Sequence, residues 1–137
     1  MSDRILLTVP TNERLQSIAT LVLGGVGTRH DLPYERTDDL QLAVLSALDA
    51  AEGGEISLEI DAGDGEVRLT LGPLRTGTRD DAAVARVLTR LVDAVDYETR
   101  DGREWVSLSV SGTKERSVAS RMARRIWNSI TSAGTGF

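Results

Sequence analysis

Few residues in this chain could do chemistry. His30 is the single histidine among 137 residues, and there is no cysteine. A lone imidazole can act as a general base, but a nucleophilic site also needs a nucleophile and an orienting carboxylate around it. No serine–carboxylate constellation can be assembled about His30 from the sequence, so a histidine at the surface or at a helix end is expected. The same counts remove multi-histidine and thiolate metal sites. The second stretch of interest is Gly72-Pro73-Leu74-Arg75-Thr76-Gly77-Thr78-Arg79. Gly72, Arg75, Gly77 and Arg79 ahead of a helix have the composition of an anion-binding turn. Asp80 and Asp81 follow at once and oppose an anion there, and an ordinary capped loop is the competing reading.

The elements that must position these residues can be read from periodicity. Arg4 to Val9 is a β-prone segment closed by Pro10, which cannot donate to a ladder. Leu15, Ile18, Ala19, Val22 and Val26 recur at helical spacing, predicting a first helix over about 12–28. Gly24, Gly25 and Gly27 in its last turns either let another element approach closely or leave the helix end frayed. After the connector His30–Arg36 comes the segment about which the chain is organised, Thr37 to Ala51. Thr37 is the expected N-cap, with Asp38 and Asp39 favourably placed in the first turn. Leu40, Val44, Ala47, Leu48 and Ala51 form its apolar face, widened by Ala43, Leu45 and Ala50. Gly53-Gly54 ends it.

Ile56–Ile60 and Val67–Leu71 alternate apolar and polar residues about Ala62-Gly63-Asp64-Gly65, predicting a hairpin. A third helix is predicted over about 79–93, with Ala83, Val84, Val87, Leu88, Leu91 and Val92 inward. Val95–Thr99 and Trp105–Val110 form a second hairpin around Asp101-Gly102. The order β-α-α-β-β-α-β-β implies a two-layer α/β sandwich, a mixed, mainly antiparallel sheet with helices on one face.

Net charge is −5 at neutral pH, but residues 114–137 carry five basic side chains against one acidic and sum to +4, leaving −9 for the rest. An acidic body disfavours nucleic acid as a partner. No apolar run approaches the ~20 residues of a membrane span, and the N-terminus shows no signal-peptide pattern, so a cytoplasmic protein is expected and membrane association is not. Residues 114–131 can form a basic amphipathic helix, with Val118, Met122, Ile126 and Ile130 as its stripe and Arg116, Arg121, Arg124 and Arg125 beside it. Docking on the acidic body, on another protein or on an anionic surface are its possible uses. Residues 132–137 read as a flexible tail. The division is thus a domain over 1–111 and a basic segment over 112–137.

The element order and the helix Leu40-Gln41-Leu42-Ala43-Val44-Leu45-Ser46-Ala47 resemble the anti-sigma-factor serine kinases of the histidine-kinase-like ATPase superfamily. Ile5–Pro10 resembles the opening strand of that family, Leu91–Tyr97 its last core helix and following strand, and Asp101-Gly102 its closing hairpin. The resemblance covers about residues 4–110. It implies the histidine-kinase-like ATPase fold, a homodimer, and a sigma factor or an anti-sigma antagonist as partner.

The family's catalytic residues do not carry over. Its central helix holds a glutamate base and, four residues later, an asparagine ligand for Mg²⁺; the matching positions here are Ser46 and Ala50. Serine is no base near neutral pH, and alanine offers a metal no oxygen. Asp49 lies about 100° round the helix from the second position. Where the family has an adenine-reading Asp-x-Gly-x-Gly, this chain has Thr70-Leu71-Gly72-Pro73-Leu74. Its lid is reduced to residues 72–78, and Ala82-Ala83-Val84-Ala85 stands in the glycine-rich position. The expectation is therefore a degenerate, non-catalytic regulatory protein-binding module, with no catalytic residues, no cofactor and no metal. The alternative is an ATP-dependent serine/threonine kinase with a divergent site built on Asp49.

Overall fold

Period-two alternation makes the strands and 3.6-residue spacing the helices, and the computed structural model describes them over residues 2–63 and 65–112. The elements are β1 (Ser2–Pro10), α1 (Leu15–Arg29), α2 (Tyr34–Leu48), β2 (Glu55–Gly63), β3 (Glu66–Leu74), α3 (Ala82–Leu91), β4 (Ala94–Arg100) and β5 (Arg103–Ser111), with a 3-10 turn at Thr78–Asp80 before α3. They form a two-layer α/β fold. The sheet runs β1-β2-β3-β5-β4, and every adjacent pair is antiparallel, so it is not mixed. Connectivity explains this. Two helices separate β1 from β2, and the second returns the chain to the end where β1 finished. The crossover through α3 makes β4 parallel to β3, but β5 is inserted between them. Asp101 and Gly102, at φ 51° and 76°, make the two-residue turn that brings Arg103 opposite Arg100.

The inward faces of the strands (Ile56, Leu58, Ile60, Val67, Leu69, Leu71, Val106, Leu108) are fully buried with Leu40, Ala43, Val44 and Ala47 of α2. Helix α2 packs between α1 and α3, which is why its alanines lie where neighbours approach. Thr37 is not its N-cap. The helix begins at Tyr34, after Pro33, whose carbonyl accepts from the amides of Arg36 and Thr37. A proline with preset φ and no amide to satisfy supplies the boundary. Thr37 instead lies buried against Gly27 of α1, where a Cβ would overlap its Oγ1. Of the two readings of the α1 glycines, close approach therefore holds at Gly27, and α1 stays helical to Arg29. Nothing lies within 4 Å of a Cβ built at Gly25.

Helix α3 is shorter than expected. Its inner residues are Val84, Leu88 and Leu91, with Val92 just beyond its end. Ala83 is exposed and Val87 is 42% exposed, so neither belongs to the inner stripe.

Arg36 is among the largest side chains with no solvent exposure. Its Nη1 donates to Asp39 Oδ2 of the same helix at 3.1 Å, and its Nη2 lies 2.8 Å from Asp93 Oδ1, between α3 and β4. The other Asp93 oxygen accepts from the amide and hydroxyl of Ser111 at 2.8 and 3.2 Å. One carboxylate thus joins α2 to the end of β5. Residues 113–137, including the predicted basic helix and tail, lie outside the described residues.

Two outcomes follow for stability. Gly27→Ala is expected to cost about 1–3 kcal/mol by overpacking, whereas Gly25→Ala on the same helix should gain about 0.5–1 kcal/mol. Asp93→Ala, which leaves a buried guanidinium short of one counter-charge, should cost on the order of 3 kcal/mol. Urea midpoints of the three variants check both.

Candidate functional site

The end of α2, the end of β3 and the turn before α3 meet at one corner, which holds Ala50, Pro73, Leu74 and Arg75. Ser46 is half-buried within α2. Ala50 lies beyond the last helical residue, Leu48, and is buried. There the chain turns to pair with β3: Ala51 bridges Leu74, the Glu52 amide donates to the Pro73 carbonyl at 3.1 Å, and the Arg75 amide donates to the Ala50 carbonyl at 2.8 Å. Arg75 Nη1 adds a bond to the Asp49 carbonyl at 2.8 Å, a cation on the negative end of α2. Backbone hydrogen bonds therefore close the gap between helix and strand.

The turn that follows has the form of an anion nest. Gly77 sits at φ 95°, a conformation that favours glycine. Its amide and that of Arg79 both point at one carboxylate, Glu104 of β5. Arg79 N donates to Glu104 Oε1 at 2.9 Å, and Gly77 N donates to Oε2. The amides of Arg79 and Gly77 hold the Glu104 carboxyl below the usual glutamate range. The chain supplies its own anion. Thr78 Oγ1 tightens the turn by donating to the Arg75 carbonyl at 2.6 Å.

The start of α3 is closed in the same manner. Asp81 is its N-cap, with Oδ1 accepting from the amides of Ala83 and Val84 at 3.0 and 3.2 Å. The two arginines of the turn diverge. Arg75 reaches α2, while the Arg79 guanidinium lies 5.9 Å from the centre of the Tyr97 ring on β4. Burial pushes the Tyr97 hydroxyl pKa up, with Asp81 and Glu104 adding to it. Asp49 faces away from this turn, into an open cleft shared with Asn12, Glu13 and Gln16 at the start of α1. Two carboxylates there make a poor seat for phosphates.

Gly72 has a different role. Its Cβ would overlap the Trp105 indole, which lies over it on the open face of the sheet. Arg100 stacks 4.3 Å above that ring and donates to both oxygens of Glu59 on β2, at 2.6 and 2.9 Å. The glycine thus admits an aromatic–guanidinium bridge spanning β3. His30 follows the end of α1, and its Nε2 is 2.7 Å from Asp3 Oδ2, with Arg29 Nε 2.6 Å from the same oxygen. The ring is at a helix end but buried rather than at the surface, and it joins α1 to β1. Hydrogen bonds from Arg29 and His30 lower the Asp3 pKa.

Glu104 and Arg36 are the residues that sequence reading passes over. Glu104 falls beside the turn only because β5 pairs with β3 and sets it opposite Leu74. Among the described residues, no group of three or more His, Cys, Asp or Glu side chains could hold a metal ion, and no helix is long and apolar enough to cross a membrane. The sequence matches no protein-family model and no curated protein.

Glu104, with its lowered folded-state pKa, contributes stability above the ordinary glutamate range and loses it as pH falls through the folded value. The Gly77 and Arg79 amide resonances should shift together in that acidic window. In Glu104→Gln the shift should vanish and both amides should exchange faster with solvent deuterium.

Proposed function

We propose that this chain is a non-catalytic regulatory protein-binding module of the histidine-kinase-like ATPase type, with its nucleotide site closed. The observation that carries the reading is the occupancy of the corner by the chain's own groups. Glu104 takes the amides of the turn, Asp81 takes the amides at the start of α3, and the Arg75 amide and guanidinium are spent on the end of α2. A triphosphate would have to displace two carboxylates and break backbone pairing before meeting a single amide. Ser46 and Ala50 then offer it neither a base nor a metal ligand.

The element order and the sequence of the central helix, Leu40 to Ala47, support the family assignment. The partner of such a module is a protein, and each helix exposes an apolar side chain to solvent (Leu21, Leu42 and Val87). By the resemblance, that partner is a sigma factor or an anti-sigma antagonist, the assembly a homodimer and the compartment the cytoplasm.

Calorimetric titration of ATP with Mg²⁺ into the chain tests the reading. No heat of binding is expected at millimolar nucleotide. Micromolar binding would overturn it and return the divergent kinase built on Asp49, for which Asp49→Asn should then abolish phosphotransfer.

A further inference from the structure

The two edges of the sheet, β1 and β4, differ in what they could pair with. β1 pairs only with β2, and among the described residues no strand meets its outer edge. An edge strand of nine residues in unbroken register is a ready template for another strand. Ile5 and Leu7 pack against the core but are only half-buried, whereas their β2 partners Ile60 and Leu58 are fully buried. Leu6, on the other face of the strand, is 66% exposed.

The helix beside this edge is also incompletely covered. Helix α2 lies between α1 and α3, and α3 stands beside β4. Helix α1 therefore stands at the β1 end, where Asp3 is bonded to Arg29 and His30. It turns Thr20 and Gly27 towards α2: the Thr20 carbonyl accepts from Gln41 Nε2 at 2.8 Å, and Thr37 lies against Gly27. Ile18, Leu21 and Val22, at i, i+3 and i+4, fall on the side turned away from α2. Leu21 is 78% exposed, while Ile18 and Val22 are half-buried at the margin of the core. No residue from Leu15 to Thr28 is charged, in a chain that is 27% charged.

We propose that β1 and the adjoining side of α1 receive a second copy of this chain, the two β1 strands pairing antiparallel about Leu6 in one continuous sheet. Leu6 is the middle residue of β1. Full-length pairing about it sets Leu6 opposite Leu6 of the second copy, Ile5 opposite Leu7, and Arg4 opposite Thr8. The apolar centre of the strand meets its own image, and no like charges stand opposite each other. Such a contact is isologous and closes at two copies. Charge selects this edge. Paired about its own middle residue, Tyr97, β4 would set Asp96 opposite Glu98, carboxylate against carboxylate. Joining β1 to β4 of a second copy leaves a free edge at each end and does not close. Residues 1–113 sum to −9, so an uncharged seam is where two copies meet with least repulsion. The proposal rests on the homodimer of the proposed function and supplies its surface.

Sedimentation of the full chain at micromolar concentration should give a dimer. Leu6→Lys, which sets two ammonium groups at the symmetry axis, should give a monomer with an unchanged circular dichroism spectrum. The chain contains no cysteine, so single replacements report the register. Leu6→Cys should oxidise to a covalent dimer, because the two sulfur atoms face each other across the axis. Thr8→Cys, on the same exposed face, should not, because its two copies lie four residues apart along the strands, about 14 Å. A monomeric full chain would overturn the proposal, the seam then being covered in another way. So would a dimer that Leu6→Lys leaves intact, or crosslinking of Thr8→Cys as fast as that of Leu6→Cys. An intact Leu6→Lys dimer retires this surface alone, whereas nucleotide binding retires the closed-site reading alone, so the two fail separately.

Discussion

A guanidinium without solvent must be compensated where it lies, and Arg36 is the point at which this fold meets that demand. Its charge is met by Asp39 from its own helix and by Asp93 from the junction of α3 with β4. Asp93 in turn anchors Ser111 at the end of β5. The helical layer and the last strand of the sheet are therefore held in one relative position by a network that tolerates little displacement, since separating buried ions costs more than their attraction returns. Apolar packing of α2 against the sheet provides most of the burial. The ion pairs define its placement along the sheet.

From that placement the closed corner follows. With α2 held at its first turn by Arg36 and by Thr37 against Gly27, its last turn arrives level with the end of β3. There the carbonyls of Asp49 and Ala50 meet the guanidinium and amide of Arg75. The turn after β3 then lies beside β5, and Glu104 enters it. A site that resembles a phosphate cradle in sequence is, in three dimensions, a saturated set of donors. An amide already bonded to a carboxylate gains nothing from a phosphate unless that carboxylate leaves.

The open face of the sheet is organised by a comparable exchange of a small residue for a large neighbour. Gly72 gives up its side chain so that Trp105 can lie flat, and Arg100 then spans from β4 to Glu59 on β2. Bonding to Arg100 lowers the Glu59 pKa and raises that of the arginine, so the bridge stays ionised through the neutral range. Thr70 and Ser107, with hydroxyls 2.6 Å apart, continue the polar face beside it.

Periodicity alone determined which segments are strands and which are helices, because strand alternation and helical stripes are local consequences of one buried face. The Asp101-Gly102 turn is equally local, since it closes between adjacent strands within two residues. What the tertiary structure decided is everything that depends on pairing. The wholly antiparallel sheet arises because β5 is inserted between β3 and β4, which no stretch of sequence announces. Thr37 lies inside α2, packed against Gly27 of α1, rather than capping the helix. Arg36 is buried although arginine is ordinarily exposed, and Glu104 is the anion of the turn although 25 residues separate it from Arg79. Local chemistry was legible in order along the chain. The identity of each partner was not, because partners are chosen by strand register and helix placement.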